Sequence, residues 1–260
     1  MRITVLGCGG AGGVPLIGNQ WGACDPNNPR NRRRRVSILV EHEGTMLLVD
    51  TSPDLRLQLL DAGIDDLDAV LYTHIHADHV HGIDELREIN RLHRKVIDIY
   101  GDAKTLETLH ERFAYVFTPP LEKVGEFRYF KPCLEGHEIT PGTAFSVGGI
   151  GILPFEQDHG FMTSMGYRFG DMAYSTDVAE LPDAAFAALQ GVKVWIVGCL
   201  RYEPHPTHAH LERVLGWIER VKPDRAILTH MSLTVDYDEL AKRLPVGVEP
   251  AHDGLVLESP

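Results

Sequence analysis

Residues 69–82 read AVLYTHIHADHVHG, an apolar run that leads into a dense group of histidines and one aspartate. Side chains two positions apart on an extended segment can point the same way, so His74 and His76 can bind one metal ion. Asp78 and His79 then turn towards a second point close by. Imidazole and carboxylate are ligands that suit Zn, Mn or Fe. The stretch therefore predicts a metal site at the end of a strand.

Three more candidate ligands each end a predicted strand elsewhere in the chain. They are His159 in ILPFEQDHG, Asp177 in MAYSTDV and His230 in RAILTHMS. Strand ends converge on one rim of a sheet, so residues far apart in the sequence can meet there. The chain has 14 histidines, and those without a partner motif are interpreted as solvated side chains. These are His42, His93, His110 and His137.

The wider pattern predicts an α/β protein. Short β-rich runs recur along the 260 residues, and one of them is FRYFKP at residues 127–132. Helical patterns fall between some of the runs, over residues 54–62, 83–92, 103–115, 183–189 and 208–221. This order favours two sheets with helices packed outside, an αββα sandwich, over one parallel sheet. No repeat or linker divides the sequence, so we expect residues 1–260 to form a single domain.

With these residues the sequence resembles the metallo-β-lactamase superfamily over nearly the whole chain. The resemblance implies two mixed sheets flanked by helices and a site for two divalent cations, Zn²⁺ or Mn²⁺. It also implies that Asp50, which ends a strand in LLVDTSPD, accepts a hydrogen bond from a metal ligand. The implied ligands are His74, His76 and His159 for one cation, Asp78, His79 and His230 for the other, and Asp177 between the two.

Such a site is suited to hydrolysis. Two divalent ions about 3.5–4 Å apart can share a hydroxide, lower the pKa of its parent water towards about 7, and stabilise the attacking and leaving oxygens. Two cations, two aspartates and one hydroxide give a charge of about +1 when the histidines are neutral. That charge favours a phosphodiester, while carboxylate-bearing lactams and thioesters stay open as alternatives.

Within the superfamily, the sequence resembles most the phosphoribosyl 1,2-cyclic phosphate phosphodiesterases, whose relatives include tRNA 3′-end endonucleases. The matching elements are a glycine-rich first loop, the WG pair at Trp21, an arginine-rich segment, YSTD, and PTHAHL followed by a helix and ILTH. The resemblance implies a phosphodiesterase that uses a metal-bridging hydroxide on a small cyclic phosphate or nucleotide-like diester. A nucleoside monophosphate is then the expected product-like ligand. The alternatives are a tRNA-processing endonuclease, a thioesterase or lactonase, and a metal-binding protein without catalysis.

The motif PTHAHL adds a further candidate to the catalytic residues Asp78 and Asp177. Thr207 is a good N-cap residue, so the pattern predicts that His208 lies in the first turn of a helix, where backbone N–H groups favour a phosphate. The resemblance implies that the matching histidine assists the leaving oxygen. We expect His208 to bind the phosphate or to act as a general acid. The alternative is an exposed histidine without a role.

The run at residues 30–35 contains five arginines. In a strand, alternate side chains point to opposite faces, so Arg33 or Arg35 can meet a substrate phosphate. A solvated loop is the alternative.

The glycines of VLGCGGAGGVP, residues 5–15, spell G-x-G-x-x-G, which is typical of dinucleotide-binding loops. Such a loop must open a helix, and Pro15, Gly18 and Gly22 prevent one here. The resemblance instead makes this stretch the first strand and loop of the fold, beside the metal cleft.

One feature of the phosphodiesterase branch is missing from the sequence. That branch often carries an additional structural zinc, held by a cysteine cluster after the WG pair and by a histidine after the last ligand. Here Cys24 stands alone and Leu233 follows THMS, so we expect no third metal.

Composition limits the partners and the compartment. The net charge of −12 disfavours extended nucleic acid as a partner. The four scattered cysteines form no C-x-x-C pair, which fits a reducing cytoplasm. There is no secretory leader and no apolar run near the roughly 20 residues of a membrane helix. We expect a cytoplasmic protein without a membrane partner, and a homodimer as the default oligomer.

Overall fold

The computed structural model describes residues 1–120 and 129–259. Its strands are β1 (Arg2–Gly7), β2 (Ser37–His42), β3 (Thr45–Val49), β4 (Ala69–Leu71), β5 (Ile97–Gly101), β6 (Leu134–Glu138), β7 (Phe145–Val147), β8 (Ile150–Asp158), β9 (Thr163–Phe169), β10 (Met172–Ser175), β11 (Val194–Gly198), β12 (Arg225–Thr229), β13 (Val248–Pro250) and β14 (Val256–Glu258). Its α-helices are α1 (Leu55–Ala62), α2 (Ala77–Val80), α3 (Leu86–His93), α4 (Ala103–Arg112), α5 (Asp183–Ala188), α6 (Leu211–Val221) and α7 (Tyr237–Ala241).

The strands form two sheets. The first has the order β14-β1-β2-β3-β4-β5-β6, and the second has the order β13-β12-β11-β10-β9-β8-β7. Both sheets are mixed. In the first sheet, β1, β2 and β3 pair antiparallel, while β3 to β6 pair parallel. In the second sheet, β10 to β13 pair parallel, while β8, β9 and β10 pair antiparallel. The predicted class, two mixed sheets flanked by helices, is confirmed.

The first sheet is buried on both faces because its strands are apolar at successive positions. In β3, Leu47 and Val49 pack into the core to which both sheets contribute side chains. Leu48 points to the opposite face of the first sheet and packs into a second core. This alternation follows from the two-residue period of a strand. Helices α1, α3 and α4 cover the second core with leucine and isoleucine side chains, including Leu55 and Leu86.

The carboxyl ends of parallel strands place several candidate site residues on one rim. Asp50 follows β3, His74 follows β4, Asp177 follows β10 and His230 follows β12. Asp50, Asp177 and His230 all have left-handed backbone conformations, with φ of 64°, 47° and 56°. Non-glycine residues rarely adopt this conformation, and such strain clusters at functional sites. The chain thus turns sharply as it leaves each of these strands.

Two local predictions are wrong. The predicted helix over residues 208–221 begins only at Leu211, and His208 lies in the loop before it. The backbone of this loop is bound elsewhere: Ala209 N–H donates to Val178 C=O at 2.6 Å and Leu211 N–H donates to Arg201 C=O at 3.1 Å.

The second wrong prediction is the strand at FRYFKP, residues 127–132. Phe127 and Arg128 lie outside the described residues, and residues 129–132 are not a strand.

Among the residues that are described, no helix has the length and apolar character needed to cross a membrane.

Candidate metal centre

Seven side chains from four segments of the chain meet in two groups that could each hold a metal ion. Within each group the ligand atoms lie within 4.8 Å of one another. The first group is His74, His76, His159 and Asp177, and the second is Asp78, His79, Asp177 and His230. All are buried except His76, so the centre opens towards solvent beside His76.

Asp177 belongs to both groups, and each of its oxygens faces one of them. Its Oδ2 lies 3.7 Å from His74 Nε2 and 3.5 Å from His159 Nε2. Its Oδ1 lies 3.2 Å from His79 Nε2 and 3.1 Å from His230 Nε2. This is the geometry of a carboxylate that can bridge two cations.

A buried hydrogen-bond chain fixes the orientation of two of the histidines. Asp50 Oδ2 accepts from His79 Nδ1 at 2.7 Å and from the hydroxyl of Thr73 at 2.8 Å. Because the Thr73 hydroxyl gives its one proton to Asp50, it accepts from His74 Nδ1 at 3.0 Å. Both imidazoles therefore turn Nε2 towards the centre, the orientation in which a histidine can bind a metal ion.

His159 is oriented in the same way by a backbone group. Its Nδ1–H donates to Thr207 C=O at 2.7 Å, which leaves Nε2 facing Asp177. The sequence analysis selected the seven residues of the two groups but missed the roles of Thr73 and Thr207, because nothing in their sequence neighbourhood shows which imidazole they will meet.

The polar atoms at the centre suit a cation. His79 Nε2 and both ring nitrogens of His230 are buried without a hydrogen-bond partner among the described residues. Burial lowers the pKa of His79, yet the carboxylates of Asp177, Asp78 and Asp50 outweigh burial and hold that pKa well above its usual range. Burial would raise the pKa of Asp177, and His230 and His79 bring it well below its usual range instead. Carboxylates and unpartnered imidazole nitrogens thus converge where a divalent ion fits.

His208 reaches this centre from its loop. Its Nδ1 lies 3.8 Å from Asp177 Oδ2, and its ring centroid lies 4.9 Å from those of His159 and His230. The side chain is only 16% exposed. Burial and the neighbouring His230 lower the pKa of His208 to about 3, so the imidazole is neutral at pH 7. The structure places the partly buried His205 beside it, with ring centroids 5.1 Å apart.

The structure contradicts the predicted role of one of the two arginines, Arg33. Arg33 is buried, and its guanidinium donates to Ser232 C=O at 3.2 Å and to Asn31 Oδ1 at 3.2 Å. It therefore has no exposed face for a substrate, and its predicted role in substrate binding is withdrawn. Arg35 is partly exposed and its Nε lies 3.0 Å from Asp54 Oδ2.

Cys24 lies beside the buried side chain of Arg33 and contacts no other thiol among the described residues. Its thiol donates to Val235 C=O at 3.3 Å, and Arg33 Nη1 lies 3.9 Å from its sulfur. The loop after the WG pair is therefore tied to the segment after His230 through hydrogen bonds.

An arginine that the sequence analysis did not select lies near His76. Arg112, at the end of α4, donates from Nη1 to Ile75 C=O at 3.0 Å, between the two ligands His74 and His76. Its side chain is exposed.

The fold is an αββα sandwich, and its rim carries two groups of side chains that could each hold a metal ion. Residues 45–231 match the family described as the Beta-lactamase superfamily domain, and the chain belongs to that superfamily.

Two comparisons extend the match. A solved structure described as a new diphosphatase from the PhnP family superposes with a TM-score of 0.89 and 35% identity, covering 100% of this chain and 98% of that one. A ribonuclease Z from Methanopyrus kandleri is 31% identical over 52% of this chain and 44% of its own length.

An octanoyltransferase from Porphyromonas gingivalis is 33% identical over 98% of this chain and 51% of its own length. The chain thus spans about half the length of the curated relatives it matches.

Proposed function

We propose that the protein is a phosphodiesterase with two divalent metal ions, acting on a small cyclic phosphate or nucleotide-like phosphodiester. The observation that carries this proposal is the position of Asp177, whose two oxygens face two separate ligand groups at 3.1–3.7 Å. The names of two relatives, a PhnP-family diphosphatase and a ribonuclease Z, support phosphate chemistry.

Some of the residues would bind the metal ions, and others would orient the residues that bind them. His74, His76 and His159 would hold one ion, Asp78, His79 and His230 the other, and Asp177 both. When bound, two such ions supply a nucleophile from water at neutral pH and stabilise negative charge on the phosphoryl group. Asp50 keeps the imidazole of His79 in the tautomer that this binding needs.

His208 would act on the substrate directly. It makes no hydrogen bond to another described residue, although it is mostly buried and close to Asp177. A neutral imidazole still has one N–H to donate. We assign it the hydrogen bond to a phosphoryl or leaving-group oxygen, where a negative charge develops as the ester bond breaks.

A substrate panel tests this proposal. Protein loaded with Zn²⁺ or Mn²⁺ is offered an aryl phosphodiester, a 2′,3′-cyclic nucleotide, an acyl thioester, a lactone and a precursor tRNA with a 3′ extension. Turnover of the two small diesters ahead of the other classes is the expected result. Cleavage of the tRNA alone would favour the endonuclease, which the ribonuclease Z match makes the second candidate. Turnover of the thioester or lactone alone would overturn the phosphodiesterase.

A further inference from the structure

The indole of Trp21 is held in a fixed orientation on the surface loop between β1 and β2. Its Nε1–H donates to Asn19 Oδ1 at 3.0 Å. Asn19 has a left-handed backbone conformation, with φ of 58°. Trp21 itself is partly exposed. A large aromatic ring is therefore fixed by its edge while part of its surface meets solvent.

Arg32 covers part of this ring with a cation. Its guanidinium carbon lies 5.0 Å from the Trp21 ring centroid, within cation–π range. Arg32 is exposed, and its side chain makes no hydrogen bond or ion pair with any described residue. By contrast, Arg34 pairs with Asp61 at 2.7 Å and Arg35 with Asp54 at 3.0 Å. Arg32 thus keeps its guanidinium donors available for an anion.

The loop that carries Trp21 contacts the segment that follows His230. Ala23 N–H donates to Leu233 C=O at 2.9 Å, and a Cβ at Gly22 would lie 1.8 Å from Leu233 Cδ1. Leu233 follows His230 by three residues, which span at most about 10 Å of extended chain. The loop that carries the pair is therefore packed directly against the segment that leaves the metal centre.

We propose that Trp21 and Arg32 form a recognition subsite for a planar heteroaromatic base whose phosphate lies at the metal centre. This proposal names the substrate class of the proposed function. It rests on that function, which supplies the position of the phosphate. Aromatic rings stack on bases of any sequence, and a guanidinium binds phosphate oxygens in a planar fork. The substrate class is then a nucleotide-like diester, not a phosphosugar without a base.

Tryptophan fluorescence tests the subsite without any need for turnover. The sequence has three tryptophans, and Trp195 and Trp217 are buried, with exposures of 0% and 8%. Adenosine 5′-monophosphate is titrated into metal-loaded protein, with ribose 5-phosphate as the probe that lacks a base. We expect the nucleotide to quench the fluorescence and to bind at least about fivefold more tightly than the sugar phosphate.

Variants separate stacking from loop stability. We expect Trp21→Leu to weaken nucleotide binding, measured by calorimetry, at least about fivefold, and Trp21→Phe to retain most of the affinity without the quench. Arg32→Gln should also weaken nucleotide binding. The control Trp217→Phe, in α6, should keep the full quench.

Two results would overturn the subsite: equal affinity for the nucleotide and the sugar phosphate, or nucleotide affinity unchanged in Trp21→Leu. Base-dependent binding without hydrolysis of any diester would refute the proposed function but support the subsite. Hydrolysis of nucleotide diesters that is insensitive to Trp21 would refute the subsite alone.

Discussion

The carboxylate of Asp50 lies 2.7 Å from Nδ1 of His79, and both side chains are wholly buried. The same carboxylate accepts from Thr73, which in turn meets His74. One wholly buried aspartate therefore orients a candidate metal ligand in each of the two groups.

Asp50→Asn should weaken metal binding in both groups. An amide cannot accept from both His79 and Thr73 with the strength of a carboxylate, so the imidazoles lose their fixed tautomers. We expect a loss of about 10–100-fold in metal affinity, measured by calorimetry on protein first stripped of metal.

The control for Asp50 is Asp98→Asn. Asp98 also pairs with a histidine, His137, at 2.9 Å, but both side chains are more than a third exposed. Metal affinity should not change there. Equal effects of the two substitutions would contradict the role of Asp50.

His208→Ala should lower kcat without removing metal. If His208 supports the leaving oxygen, the loss should be about 10²–10⁴-fold for a diester with an alkoxide leaving group, and smaller for p-nitrophenolate, which needs little help. His208→Gln should recover part of the rate because an amide N–H can still donate.

The matched control is His210→Ala, since His210 lies two residues further on, at the start of α6, and its side chain makes no capping hydrogen bond. Unchanged turnover in His208→Ala, or an equal loss in His210→Ala, would argue against the assigned role.

Removal of metal should destabilise the folded protein. The centre brings buried Asp78 and Asp177 together with nitrogen atoms of His79 and His230 that lack partners. At a free metal concentration 100 times the dissociation constant, binding contributes about 2.7 kcal/mol, which corresponds to a Tm shift of about 5 °C for a chain of this size. Calorimetric scans with and without a chelator measure it, and an unchanged Tm would contradict a metal site.

Asp253 should make stability depend on pH in the opposite sense to most carboxylates. It accepts from Cys8 N–H at 3.1 Å and Arg34 N–H at 2.8 Å, but burial raises its pKa to about 6. The folded state therefore holds this proton between about pH 4 and pH 6, where the unfolded state has lost it.

The contribution of Asp253 to the free energy of unfolding is thus present below about pH 4 and falls as pH rises to 6. The fall is at most about 3 kcal/mol, because a pKa difference of about 2 corresponds to that energy. Denaturant titrations at several pH values should show a smaller fall for Asp253→Asn than for the wild type. Asp61→Asn, at an exposed carboxylate, is the control. Parallel pH profiles for wild type and Asp253→Asn would refute the prediction.

The seven residues that meet in the two groups could be selected from the sequence because they obey local rules. Four of them lie within residues 74–79, shortly after the buried strand β4, and His159, Asp177 and His230 each follow another strand. Parallel strands bring such residues to one rim regardless of their distance in sequence. The order of strand and helix patterns predicted two sheets with helices packed outside, and the resemblance to the superfamily implied that both sheets are mixed.

Other features depended on partners that are distant in sequence. The N-cap predicted at Thr207 does not form, because its carbonyl is taken by His159 and the next residues bind Val178 and Arg201. Arg33 turns inward because Ser232 and Asn31 offer it buried acceptors. Neither partnership leaves a periodic signal in the sequence.

The most direct test of the two-ion account is a metal count joined to a rate measurement on Asp177→Asn. Wild-type protein should bind two equivalents of Zn²⁺ or Mn²⁺ per chain and hydrolyse an aryl phosphodiester. The variant should bind fewer equivalents and lose the activity, since one carboxylate serves both groups. Two tightly bound equivalents with full hydrolysis in the variant would contradict the account.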